Sequence, residues 1–182
     1  AIGWTALHAQ DTGSDAYNTA VGYFAGGSIS TGIQNTLIGA TAGDAITTGG
    51  NNVAVGYNSL SATTVGTDNI AIGKDALETN ANGSASIAIG SLALEDQAPS
   101  GVGNMYNIAI GHWASKQLTT GTNNITIGGL AGDALTTGSN NVAIGYLSLS
   151  AEDEHGRNVA IGAYTLKDQD AGAQAYNVAI GY

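Results

Sequence analysis

The residues of this 182-residue chain that could do chemistry are few and scattered. Fourteen carboxylates stand against only four basic side chains (Lys74, Lys116, Arg157 and Lys167), with three histidines and no cysteine. His8, His112 and His155 have no i,i+4 partner and so lack the spacing by which one helix face presents two imidazoles to a metal. Glu78 and Glu95 are seventeen residues apart, with Lys116 following. Stacked on neighbouring turns, the two glutamates form either a solvated pair or a pair that a cation could bridge. Asp11, Asp15, Asp168 and Asp170 lie beside local insertions. A glycan-cleaving tailspike would need two such carboxylates about 5 to 9.5 Å apart across a groove, and nothing here marks a pair. Ser and Thr abound without a Gly-x-Ser-x-Gly elbow or a phosphate-cradling loop. No catalytic set, metal set or cofactor cradle emerges, and the expectation is a protein that is not an enzyme and carries no cofactor.

What does recur is a phrase, Asn-x-Ala-Ile/Val-Gly, seen clearly at 69–73 and 141–145. Its glycine returns as Gly3, Gly22, Gly39, Gly56, Gly73, Gly90, Gly111, Gly128, Gly145, Gly162 and Gly181, usually seventeen residues apart. A fixed short period means one unit stacked on copies of itself. The predicted fold is therefore all-β: a parallel β-solenoid of ten coils of 17–21 residues, one domain over 1–182. At about 4.8 Å per coil it makes a rod of roughly 50 Å.

Within the phrase, the residues either side of the Ala share one side of a strand and the Ala takes the other. The column before Gly is wholly β-branched: Val21, Ile38, Val55, Ile72, Ile89, Ile110, Ile127, Ile144, Ile161 and Ile180. Such residues suit strand and core, which predicts that the β-branched columns face inward. The Ala column, broken in the complete phrases by Leu37 and Thr126, would then face outward and lie close to something.

A second glycine follows ten residues after the first (Gly13, Gly32, Gly49, Gly66, Gly83, Gly121, Gly138, Gly172), with Gly101 and Gly156 one place late. Two glycines per turn mark two bends that need positive φ or close backbone approach. The phrase Asn closes a turn or forms a ladder between coils. A compensation also appears. Where the fourth residue after the phrase glycine is Leu (Leu7, Leu60, Leu77, Leu94, Leu149, Leu166), the seventh is polar (Gln10, Thr63, Asn80, Gln97, Glu152, Gln169). Where the fourth is Gly26, Gly43, Ser115 or Gly132, the seventh is Ile29, Ile46, Leu118 or Leu135. Dense interiors punish voids and crowding, so both positions are read as serving one core slot. A polar seventh residue such as Thr63 then faces solvent or the bend. A longer repeat relates 39–73 to 128–162 at an offset of 89 residues.

The first and last coils carry two additional residues, ending Ala16-Tyr17-Asn18 and Ala175-Tyr176-Asn177; the middle coil carries four, with Pro99, and ends Met105-Tyr106-Asn107. Insertions at one point of a repeat project from one edge, which makes Pro99 and Tyr106 candidate receptor contacts. Aromatic residues gather just after the phrase glycine, giving further candidates in Tyr23, Tyr57, Trp113 and Tyr146. Such a strip serves either packing against a neighbouring subunit or stacking of sugar rings.

The net charge of −10 argues against nucleic acid and against an anionic membrane surface. No apolar run approaches the roughly 18 residues of a spanning helix, so no membrane insertion is expected in this segment. Both ends lie inside the phrase without a polar cap, as in a slice of a longer fibre.

The phrase resembles the head repeat of trimeric autotransporter adhesins, the YadA-like head, and the Asn-Thr-Ala-x-Gly-Tyr-x-Ala-Gly repeats of phage tail fibres. Residues 18–26 and 35–43 carry that form, and the likeness runs through all ten coils. The adhesin repeat is nearer fourteen residues; coils of 17–21 are closer to the phage type. The resemblance implies a left-handed β-roll in a homotrimer, displayed extracellularly on a virion tail fibre or a bacterial surface, with a host-cell glycan or protein as partner. In that setting the small, outward Ala54, Ala71, Ala88, Ala109, Ala143 and Ala160 are the expected trimer contacts. An ice-binding face is a further alternative and would require Thr47-Thr48, Thr119-Thr120 and Thr136-Thr137 to form an aligned array.

Overall fold

The computed structural model describes residues 1–13, 15–151, 154–169, 172–173 and 176–182; Glu152, Asp170 and Ala175 lie outside them. It is all-β, with strands β1 (Thr19–Val21), β2 (Thr36–Ile38), β3 (Val53–Val55), β4 (Ile70–Ile72), β5 (Gly83–Ser84), β6 (Ile87–Ile89), β7 (Gly103–Asn104), β8 (Ile108–Ile110), β9 (Ile125–Ile127), β10 (Val142–Ile144), β11 (Val159–Ile161) and β12 (Val178–Ile180). Ten phrase strands form one parallel sheet in the order β1-β2-β3-β4-β6-β8-β9-β10-β11-β12, and β5 pairs with β7 beside the middle insertion. Each phrase residue meets its equivalent on the next coil, as in Val53↔Ile70, Ala54↔Ala71 and Val55↔Ile72. The chain is a β-solenoid.

Each phrase strand stops at three residues because the backbone turns at fixed places. The residue before the phrase Asn is left-handed (Asn51 φ 59, Asp68 φ 60), and so are the second and fourth residues after the phrase glycine (Asn58 φ 58, Leu60 φ 56). The phrase glycine needs its lack of a side chain twice over: Gly39 has φ 141, and a Cβ there would lie 2.2 Å from the Gly56 carbonyl oxygen. In the seventeen-residue coils the second glycine needs it for close approach, whereas Gly13 in the first coil has φ 63 and no close neighbour. A Cβ on Gly66 would lie 2.3 Å from the Gly83 carbonyl oxygen, without a positive φ.

The two sides of the strand are the reverse of the expectation. The alanines are inside: Ala54, Ala71, Ala88, Ala109, Ala143 and Ala160 are fully buried within the chain's own coil. The β-branched residues are outside, with Ile38, Ile72, Ile89 and Ile110 between 36% and 40% exposed. The reason is thickness. The fourth- or seventh-place aliphatic reaches across to the strand and leaves room there only for a methyl group. Where the column is larger, the opposite wall gives way: Leu37 packs where Gly26 and Gly43 carry no side chain, and Thr126 accepts a hydrogen bond from the Ser115 hydroxyl at 2.9 Å.

The shared core slot is present. Leu60 and Ile46 are both fully buried. A Cβ on Gly43 would come 2.8 Å from Ile46 Cδ1, and one on Gly132 equally close to Leu135 Cδ1, so the seventh-place side chain fills the space vacated at the fourth. Thr63 departs from expectation: it too is fully buried, its hydroxyl donating to the Asn80 carbonyl of the next coil. Asn80 and Gln97 at the same place are buried as well, Gln97 Nε2 donating to Asn80 Oδ1 between coils, whereas Gln10 of the first coil is exposed.

The phrase asparagines form a buried ladder. Asn52 Oδ1 accepts from the Asn69 backbone N–H (3.0 Å) and from Asn69 Nδ2 (3.2 Å), while Asn52 Nδ2 donates to the Gly66 carbonyl (2.9 Å). Side chains thus tie the strand of one coil to the bend of the next.

Candidate functional site

The outer face of the main sheet is a regular surface that runs over all ten phrase strands. Its two columns run from Thr19 and Val21 to Val178 and Ile180, and no charged residue stands in either. This face takes the place of the alanine column as the candidate contact between copies, because the buried alanines have no surface to offer a partner.

The aromatic candidates lie beside it and are exposed: Tyr23 58%, Tyr57 57%, Tyr146 48% and Trp113 38%. They form separate clusters. Tyr146 meets Tyr164 edge-on at 5.6 Å between ring centroids, and Tyr164 meets Tyr182 at 6.1 Å. Trp113 lies 5.2 Å from the His112 ring, with Lys116 Nζ 5.3 Å from its centroid. Tyr23 approaches Phe24, and Tyr57 has no ring partner among the described residues. At the middle insertion Tyr106 is exposed, its hydroxyl accepting from Asn104 Nδ2 at 2.6 Å; Pro99 is half-buried and Val102 stands out beside it.

The glutamate column meets groups of its own chain, although Glu95 Oε2 is buried with an ion pair and no hydrogen bond. Lys116 Nζ sits 3.3 Å from Glu95 Oε2, and Glu78 accepts from Asn58 Nδ2 at 2.6 Å. Burial, with the charge of Asp75 adding to it, raises the Glu78 carboxyl above its ordinary range. Among the inserted-loop carboxylates, Asp11 and Asp168 are exposed and Asp15 accepts from the Tyr17 hydroxyl; Asp170 is outside the described residues. Among the described residues no three His, Asp or Glu come together in a way that could hold a metal. In two of the threonine pairs the first hydroxyl is turned into the coil stack, Thr47 donating to the Thr64 carbonyl and Thr119 to the Thr136 carbonyl, while Thr48, Thr120 and Thr137 are exposed.

One feature escaped the sequence reading. Thr137, Ser139 and Asn140 of one coil and Glu154, Gly156 and Arg157 of the next line a cleft of about 200 Å³. Its signal in the sequence was the late glycine, Gly156. Comparison with protein-family models, curated proteins and solved structures returns no match.

Proposed function

We propose that this chain is a non-enzymatic structural and adhesive fibre segment, assembled as a homotrimer and displayed outside the cell, of the kind that forms phage tail fibres for host-surface attachment. The observation that carries the reading is the uncharged, β-branched outer face. Two columns about 7 Å apart over nine inter-strand spacings of about 4.8 Å give a strip of roughly 500 Å² once side-chain width is included. That is at the upper end of apolar patches on free monomers, and patches of this size and continuity serve association. A flat parallel sheet presents the same face at every coil, so copies side by side can meet along the whole rod. The repeat phrase supports the tail-fibre assignment by resemblance. Sedimentation equilibrium and native mass measurement should give a trimer. Ile72→Lys with Ile127→Lys should yield a monomer with unchanged β-type circular dichroism. A wild-type chain that stays monomeric at micromolar concentration would sink the proposal.

A further inference from the structure

We propose that the cleft between Asn140 and Arg157 binds a neutral hexose unit of a glycan, a step that rests on the adhesive reading and gives it a ligand class and a place. Repeat proteins carry their specific chemistry where the repeat is broken, because the unbroken positions are committed to stacking. This is such a place. Elsewhere the second bend reads Thr48-Gly49-Gly50-Asn51, Val65-Gly66-Thr67-Asp68 or Thr137-Gly138-Ser139-Asn140; in the next coil it reads Glu154-His155-Gly156-Arg157. The glycine falls one place late, as it also does at Gly101 in the middle coil, and His155 stands where the regular coils carry it. The stack survives the change, since Asn141 Nδ2 donates to the His155 carbonyl at 3.2 Å. Gly156 now lies against the preceding coil, where a Cβ would come 1.9 Å from the Ser139 carbonyl oxygen. Ladder and glycine contact are therefore kept, while the flanking side chains become a carboxylate and a guanidinium.

The lining is polar throughout. Asn140 offers a donor and an acceptor, Glu154 two acceptor oxygens, Arg157 a planar fork of donors and Thr137 a hydroxyl. Mixed donors and acceptors on a small, open concavity suit vicinal hydroxyls, each of which both gives and accepts a hydrogen bond. An apolar ligand would leave these groups unpaired. The Arg157 fork is held in place: Nη1 donates to the Tyr176 hydroxyl at 2.9 Å, and the guanidinium lies 5.5 Å from the Tyr176 ring centroid. Pre-organised side chains lose less freedom on binding. Glu154 in the lining and the net charge of −10 disfavour acidic sugars. The corresponding place one long repeat earlier, around Asn51 and Asp68, has Val65 and Asp68 where Glu154 and Arg157 stand, so that bend lacks the pairing of a carboxylate with a guanidinium.

The test is saturation-transfer NMR on the wild-type chain with methyl mannoside, methyl galactoside, methyl glucoside and N-acetylglucosamine, with glucuronate as the charged comparison. Each is used at about 10 mM, where millimolar affinity registers. Transfer to at least one neutral sugar is expected, reduced at least fivefold by Asn140→Ala and by Glu154→Gln and unchanged by Gln117→Ala, at an exposed position outside the cleft and not among the aromatic candidates. Both reducing substitutions are at exposed positions, and circular dichroism checks that the fold is kept. No transfer from any neutral sugar, transfer from glucuronate alone, or transfer indifferent to both substitutions would overturn the site. Sedimentation of the same samples separates the two readings: a trimer that binds no sugar removes the cleft and leaves the fibre, and a monomer that binds does the reverse.

Discussion

Leu60 and Thr63 show how far single residues can be read. Their exchange with Gly43 and Ile46 was visible because coils of one chain could be compared with each other. The direction of Thr63 was not, because a hydroxyl suggests solvent until a carbonyl on the next coil is known to receive it. The backbone adds a term that the sequence hides: Leu60 has φ 56 and Gly43 φ 57. A left-handed leucine carries a cost of about 1–2 kcal/mol that glycine escapes. Leu60→Ala should cost about 2–5 kcal/mol through the cavity it opens. Thr63→Ala should cost about 1–2 kcal/mol, since it strips the Asn80 carbonyl of a buried donor. Leu60→Gly with Thr63→Ile should recover most of the loss of Leu60→Gly, measured by denaturant unfolding at fixed chain concentration. A double variant no more stable than Leu60→Gly alone would show that the two positions do not share a slot.

At the scale of strand and bend, the period and the in-register stacking were legible, and the side of the strand facing inward was not. Alternation with period two defines two faces without saying which is inside, and here both columns are apolar. Coil thickness decided it, and the clue lay in Leu37, whose bulk is matched by glycines at 26 and 43. The asparagine ladder was anticipated; its repair was not. Ser86 replaces the phrase Asn in one coil, and Gln97 fills in: its Oε1 accepts from Asn107 Nδ2 at 2.9 Å and its Nε2 donates to Asn80 Oδ1 at 3.2 Å. Gln97→Ala should cost about 1–3 kcal/mol, because it leaves a buried amide unpaired. Adding Ser86→Asn should restore much of that by rebuilding the regular rung. Unfolding curves showing no gain from the second substitution would mean that Gln97 does not stand in for the missing carboxamide. The cleft at Asn140 was illegible for a related reason: a one-residue slip of glycine reads as noise until the preserved ladder shows that it was accommodated.

Across the whole molecule, the 89-residue repeat places two equivalent aspartates, Asp44 and Asp133, five coils apart. One carboxylate oxygen of each is buried without a partner, and burial raises both carboxyls above their ordinary range, against the opposing pull of backbone N–H groups. The folded chain thus holds these protons to higher pH than the unfolded chain. The contribution of these two groups to stability is full below about pH 4, where both states are protonated, and declines as pH rises through the raised folded-state values. Asp44→Asn with Asp133→Asn should raise stability at pH 7 by less than about 1 kcal/mol per site, because solvent screens half-exposed carboxylates, a gain read as a small rise in melting temperature. The gain should vanish below pH 4; a gain independent of pH would assign it to something other than proton binding. The in-register stack has one more consequence, a mechanical one. A seventeen-residue coil advances the rod by about 4.8 Å yet stores up to roughly 58 Å of extended chain. Since coils hold only their neighbours, a pulled chain can yield one coil at a time, each lengthening the tether about twelvefold over the rod it gives up and absorbing load before the next coil gives way.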